Sequence, residues 1–166
     1  MSRSSNQKAK LLYLEKMFRE ESDEQHPLTV KNIISGLDRV GIKAERKAIY
    51  DDIELLREVM DMDICSDKVG SYYLGTDRFQ FEELQLLADA AACSKFITED
   101  KSRELVEKIS HLTSNFKARE LQRSVIVANR VKTENRKIYY NINKIHEAIK
   151  QQKKITFHYF RYVIKK

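Results

Sequence analysis

The sequence has 166 residues, of which 42% are apolar and 34% are charged, and its formal net charge is +6. The apolar content excludes a purely disordered or fibrous chain, and only four Gly and one Pro argue against a turn-rich sandwich or barrel. We therefore expect a mainly α-helical fold with small β elements. No apolar run approaches the ~20 residues of a membrane span, and no secretory signal opens the chain, so we expect a cytoplasmic protein without a membrane partner.

The polar residues point away from catalysis and metal binding. Cys65 and Cys93 lack a cysteine or histidine at zinc-finger spacing, so we expect reduced thiols, no disulfide and no metal site. The four His are scattered, and there is no Gly-rich phosphate loop or nucleophile motif, so we expect no enzyme, no catalytic residues and no cofactor. Residues 117–166 carry fourteen Lys or Arg against three Asp or Glu, which favours a nucleic-acid partner or a solvated basic tail.

Three helices are predicted in the first 60 residues. Apolar residues at three- and four-residue spacing indicate an amphipathic helix over 7–21. Thr29 is suited to cap a second helix that ends near Gly41, with Leu28 placed to pack on its first turn. A third helix is predicted over about 44–59. The side chains that this spacing turns inward are Val30, Ile33, Ile34 and Leu37 in the second helix and Ile49, Ile53 and Leu56 in the third.

The third helix has a divided surface. If its apolar residues face inward, Arg46, Lys47 and Tyr50 share the exposed face of its first two turns. Acidic residues follow at 51, 52 and 54, and Asp52 is suited to be a cap or an ion-pair partner. An ordinary solvated helix face remains the alternative.

Two strand-like runs, 63–66 and 71–74, flank a turn at Gly70 and predict a small β-hairpin. Helices followed by a hairpin in this order are typical of a winged helix-turn-helix, whose recognition helix enters the major groove while its wing contacts the DNA backbone. The candidates for base readout are Arg46, Lys47 and Tyr50, and those for phosphate contact are Lys31, Lys43 and Lys68.

The second half begins with a predicted helical pair, over 79–96 and 101–112, in which Thr98 caps the second helix. This pair is expected to pack against the first helices or against a second copy of the chain. Further on, a strand is predicted over 125–131, a helix over 142–149 and an aromatic strand over 155–164. Nothing in the sequence follows that last strand to pair with it, so we expect a fragment of a longer protein or pairing with another chain.

Three groups of motifs follow one another along the chain. The first comprises Leu28-Thr29, Gly41-Ile42 and the run 45–54, the second 78–79 with 82–87, 94–98 and 101–102, and the third 129–133 with 138–140 and 146–149 before 155–160. This ordered series resembles the WYL-domain transcriptional regulators of bacteria. Arg46, Tyr50 and Asp52 match that family's recognition helix, whereas Glu45 and Ala48 depart from its usual cap and the Ser or Thr that follows. The chain also lacks Trp, and with it the Trp-Tyr-Leu signature.

The resemblance implies a winged helix-turn-helix in 1–76, a helical linker in 77–122 and the truncated start of a mixed α/β WYL domain in 123–166. It implies sequence-specific binding of double-stranded DNA, and we expect a homodimer that contacts half-sites about one helical turn apart. Relatives are expected to sense an effector through the missing domain, so no effector is assigned to this chain. The alternative function is a protein–protein interaction module that uses the helical pair and the exposed C-terminal strand.

Overall fold

The computed structural model describes residues 3–76, 78–124, 132–135 and 137–158. The fold is mainly helical with a small antiparallel sheet, as the composition predicts. No helix in these ranges is long and apolar enough to cross a membrane. The elements in chain order are α1 (Arg3–Glu21), α2 (Val30–Arg39), α3 (Arg46–Met60), β1 (Ile64–Ser66), β2 (Tyr72–Leu74), α4 (Phe81–Cys93), α5 (Glu99–Ser110), α6 (Asn115–Ser124) and α7 (Ile138–Lys150).

The first unit, residues 3–76, encloses one hydrophobic core between α1, α2, α3 and the hairpin. The inward faces predicted for α2 and α3 are confirmed, apart from Ile34, which is only half-buried. The predicted cap is confirmed as well, because Thr29 Oγ1 accepts a hydrogen bond from the amide of Asn32 at 3.1 Å. The buried side chains of this core include Leu14, Phe18, Ile33, Leu37, Ile49, Ile53 and Leu56.

Backbone contacts hold the sheet against the helices. The predicted hairpin is confirmed, with Ile64 opposite Leu74. Leu28, just before α2, exchanges two backbone hydrogen bonds with Tyr72, at 2.7 and 2.8 Å, and so lies beside β2 as a third extended segment. The hydroxyl of Ser22 donates to the α1 carbonyl of Phe18 and accepts from the amide of Leu74, which ties the end of α1 to β2.

The second unit, residues 78–124, is a bundle of three helices instead of the predicted pair. The helices predicted over 79–96 and 101–112 are observed as α4 and α5, and Thr98 caps α5 as expected. The sequence prediction missed α6, since its inward-facing residues are chiefly Ala118 and Leu121 among charged neighbours, too few for a clear periodicity. The core of this unit comprises Leu84, Ala88, Ala91, Ala92, Val106, Ile109 and Leu121.

A polar joint connects the two units. The buried carboxylate of Asp23 accepts a hydrogen bond from Ser114 Oγ at 2.6 Å, across 91 residues of sequence. Next to it, the ring of His26 stacks on Phe116 with ring centroids 3.7 Å apart and planes 3° apart. We call the Asp23–Ser114 hydrogen bond and the His26–Phe116 stack together the Asp23 joint. It fixes the start of α6 against the loop that follows α1.

The C-terminal segments differ from the prediction in one respect. The helix predicted over 142–149 is observed as the longer α7. Residues 155–158, predicted to begin a strand, have no strand structure, and Phe157 is 73% exposed. A strand needs a hydrogen-bonded neighbour, and no strand of the described ranges lies beside this segment. The strand predicted over 125–131 and the remainder of the last one, 159–164, lie outside the described residues.

Candidate nucleic-acid interface

The first two turns of α3 carry the residues predicted for base readout. Arg46 and Lys47 are exposed, and Tyr50 is half-buried one turn further along. Arg46 Nε donates a hydrogen bond to Tyr50 Oη at 2.8 Å, and the guanidinium carbon lies 5.8 Å from the centroid of that ring. The structure therefore brings Arg46 and Tyr50 together as one unit, which limits the rotamers that the arginine can adopt.

Aromatic and cationic contacts continue from α3 to the hairpin. The Tyr50 ring lies 6.4 Å from that of Tyr72 in β2, and the guanidinium of Arg57 lies 5.8 Å from the Tyr72 centroid. Arg57 Nε also donates to the carbonyl oxygen of Ile64 at 2.8 Å. These contacts set the position of the hairpin relative to α3. The sequence prediction missed Arg57 and Tyr72, because the spacing of residues along the sequence does not show which strand residue a helix residue contacts.

The predicted phosphate contacts lie around the same surface. Lys31 at the start of α2 and Arg46 line one cleft, which the hairpin turn at 69–71 closes on its other side. Lys43 lines a neighbouring groove, and Lys31 lines both this groove and the cleft. Lys68 is exposed in the hairpin turn, immediately before the turn residues that line the first cleft. The structure thus arranges these cations along the ends of α2 and α3 and the hairpin.

The conformation of the hairpin turn depends on a carboxylate. Asp67 Oδ1 accepts hydrogen bonds from the amides of Val69, at 2.9 Å, and Ser71, at 2.7 Å. These backbone hydrogen bonds, that of Ser71 above all, lower the pKa of Asp67 below its ordinary value. Gly70 has φ of +84°, a conformation that residues with a Cβ rarely adopt. The turn that carries Lys68 is therefore well defined, although the sequence prediction identified only Gly70 in it.

The acidic residues of α3 differ in their surroundings. Asp52 forms an ion pair with Lys10 of α1, with Nζ and Oδ2 2.7 Å apart and the two side chains only 8% and 13% exposed. Of the two roles predicted for Asp52, it therefore has that of ion-pair partner. Glu54 accepts from Arg57 Nη1 at 2.6 Å. Asp51 is exposed, and no ion pair to it is found among the described residues.

This candidate surface therefore combines cations that can donate hydrogen bonds, an aromatic hydroxyl and an exposed helix end. Within the described ranges, no three or more His, Cys, Asp or Glu side chains are grouped so that they could hold a metal ion. Comparison of the chain with models of known protein families, with curated proteins and with solved structures finds no match.

Proposed function

We propose that this protein is a sequence-specific regulator of transcription that binds double-stranded DNA, of the kind found in the WYL-domain regulators it resembles. The observation that carries the proposal is the exposed basic and aromatic face of α3, with Arg46 held by Tyr50 and flanked by the hairpin. An α-helix fits the major groove of B-DNA, and the ends of α2 and the hairpin flank α3 where phosphates would lie.

The order and pairing of the elements support a winged helix-turn-helix. Two helices, α2 and α3, are joined by a short connection at Gly41, whose φ is +75°, and a hairpin follows directly. The backbone pairing of Leu28 with Tyr72 adds the extended segment that precedes α2 to the edge of the hairpin. In this proposal α3 is the recognition helix and the hairpin is the wing.

The chemistry of the side chains suggests how bases would be read. The guanidinium of Arg46 and the ammonium of Lys47 can donate to O6 and N7 of guanine, and Tyr50 can contact a thymine methyl or a phosphate. Lys31, Lys43 and Lys68 would contact phosphates and set the register of α3 on the duplex. The phosphate contacts add affinity for DNA of any sequence, whereas the base contacts of Arg46 and Lys47 discriminate between sequences.

The proposal includes a homodimer that contacts two half-sites about one helical turn apart. Support for an interface comes from the second unit, on which Leu86 and Phe96 are exposed to 71% and 72%.

A second candidate is a protein–protein interaction module. The observation in its favour is α7, whose apolar residues Ile142, Ile145 and Ile149 follow one another at helical spacing and are all exposed. In this case the first unit would only be a scaffold, and DNA would not bind specifically.

Charge-matched double variants distinguish the two candidates. R46A/K47A removes two base contacts worth about 1–3 kcal/mol each, so we expect affinity for the preferred duplex to fall at least about 30-fold in fluorescence anisotropy. K144A/K150A removes the same charge from exposed positions of α7 and should change the affinity much less. Equal losses in both variants would contradict the assigned reading face. Circular dichroism of each variant confirms that the helices remain.

A further inference from the structure

Asp51 lies in the middle of the exposed face of α3, one turn after Lys47. Every other acidic side chain next to it on the first three turns of the helix has a partner, Lys10 for Asp52 and Arg57 for Glu54. The carboxylate of Asp51 is thus the acidic group that the first three turns of α3 present to a bound duplex without an ion pair to a described residue, while Glu58 lies two turns further along.

A carboxylate in this position weakens binding to DNA of arbitrary sequence. It is repelled by the phosphates, and in the major groove it faces acceptors at guanine O6 and N7 and thymine O4, to which it cannot hydrogen-bond. Cytosine offers the N4 amino group, a donor for which Asp and Glu are the matching side chains. Adenine also has an amino donor, N6, but the acceptor N7 beside it repels a carboxylate. Cytosine is therefore the base that Asp51 matches best.

We propose that Asp51 is a specificity-determining residue that accepts a hydrogen bond from cytosine N4 in each operator half-site. This inference rests on the proposed function and adds the identity of one base. Residues four apart on a helix are separated by about 6 Å along its axis, close to two base-pair steps of about 3.4 Å. The cytosine is therefore expected within about two base pairs of the guanine that Lys47 contacts.

Replacement of Asp51 gives two distinct expectations. D51A removes the acceptor and the repulsion, so it should bind random duplex more tightly and lose its preference for cytosine. D51N replaces the carboxylate by an amide, which pairs with adenine N6 and N7, so the preferred base at that position should change to adenine. A residue with only a structural role would not cause such an exchange of bases.

The test is selection from a pool of random duplexes with the full chain as wild type, D51A, D51N and D89A. D89A removes one exposed negative charge from α4 and serves as the control for net charge. Anisotropy then compares the selected duplex with one in which the cytosine is replaced by thymine. We expect wild type and D89A to discriminate about tenfold and D51A less than about twofold.

The outcomes separate this inference from the proposed function. A selected site whose cytosine is retained with equal strength by D51A and D51N would overturn the role of Asp51 and leave sequence-specific binding intact. The absence of any enriched site with wild type would overturn both. Loss of the cytosine with D51A, and adenine in its place with D51N, would support the assignment.

Discussion

The Asp23 joint connects the two units, and its removal should destabilise the fold. The carboxylate of Asp23 accepts hydrogen bonds from Ser114 Oγ at 2.6 Å and from the amides of Gln25 and His26 at 3.0 Å, and it lies 2.8 Å from His26 Nδ1. Burial by itself would raise the pKa of Asp23, but the hydrogen bonds from Ser114, His26 and Gln25 outweigh it and lower the pKa below its ordinary value.

The size of the loss follows from these contacts. A hydrogen bond to a charged group contributes about 1.5–3 kcal/mol to the free energy of unfolding. In D23A the donors that lose the carboxylate bind water instead, which recovers part of that free energy. We therefore expect D23A to lower the free energy of unfolding by about 3 kcal/mol. S114A removes one of the contacts and should cost about 1.5 kcal/mol. The control D89A, an exposed position of α4, should change the free energy of unfolding by less than about 0.5 kcal/mol.

The contribution of Asp23 depends on pH in a defined direction. Its pKa is lower in the folded state, so the stabilisation is fully present above the unfolded pKa of about 4 and declines as the pH falls through the folded value. In urea titrations, the difference between wild type and D23A should narrow as the pH falls below about 4. A loss under about 1 kcal/mol at neutral pH, or a difference that widens below about pH 4, would refute this reasoning.

Two further substitutions test other parts of the first unit by urea unfolding. D52A leaves the ammonium of Lys10 buried without its counter-ion and should lower the free energy of unfolding by about 3 kcal/mol. The apolar double variant K10M/D52L should restore most of that loss. If K10M/D52L is no more stable than D52A, the unpaired charge is not the cause of the loss. G70A places a Cβ at φ of +84° and should cost about 1 kcal/mol, and an unchanged or higher stability would mean that the turn conformation is not as described.

Local patterns predicted the elements whose signals lie within a few residues. The buried side of α3 follows from Ile49, Ile53 and Leu56 at helical spacing, and Thr29 and Thr98 were recognisable as caps because a cap contacts amides only two or three residues away. The contact between Arg46 and Tyr50 was predictable for the same reason, because residues four apart lie on the same face of a helix. The role of these two residues in DNA binding stays a prediction.

The features that escaped prediction depend on contacts between distant residues. The partner of Asp23 lies 91 residues away, and the amide of Leu74 reaches Ser22 across 52 residues. The interpretation of 155–158 as the start of a strand was wrong for a related reason, because β-branched and aromatic residues favour strands only where a neighbouring strand is present. Local composition contains no information about that neighbour.

The most direct test of DNA recognition is fluorescence anisotropy of the chain with duplex from upstream of its own gene and with a scrambled duplex, each at about 50 and 200 mM salt. We predict a clear preference for the first duplex. Neutralisation of three phosphates by Lys31, Lys43 and Lys68 should lower the affinity roughly 40-fold over that range of salt. Equal, weak binding to both duplexes would contradict the proposal and would assign the binding to the basic residues of 117–166, acting as a polycation.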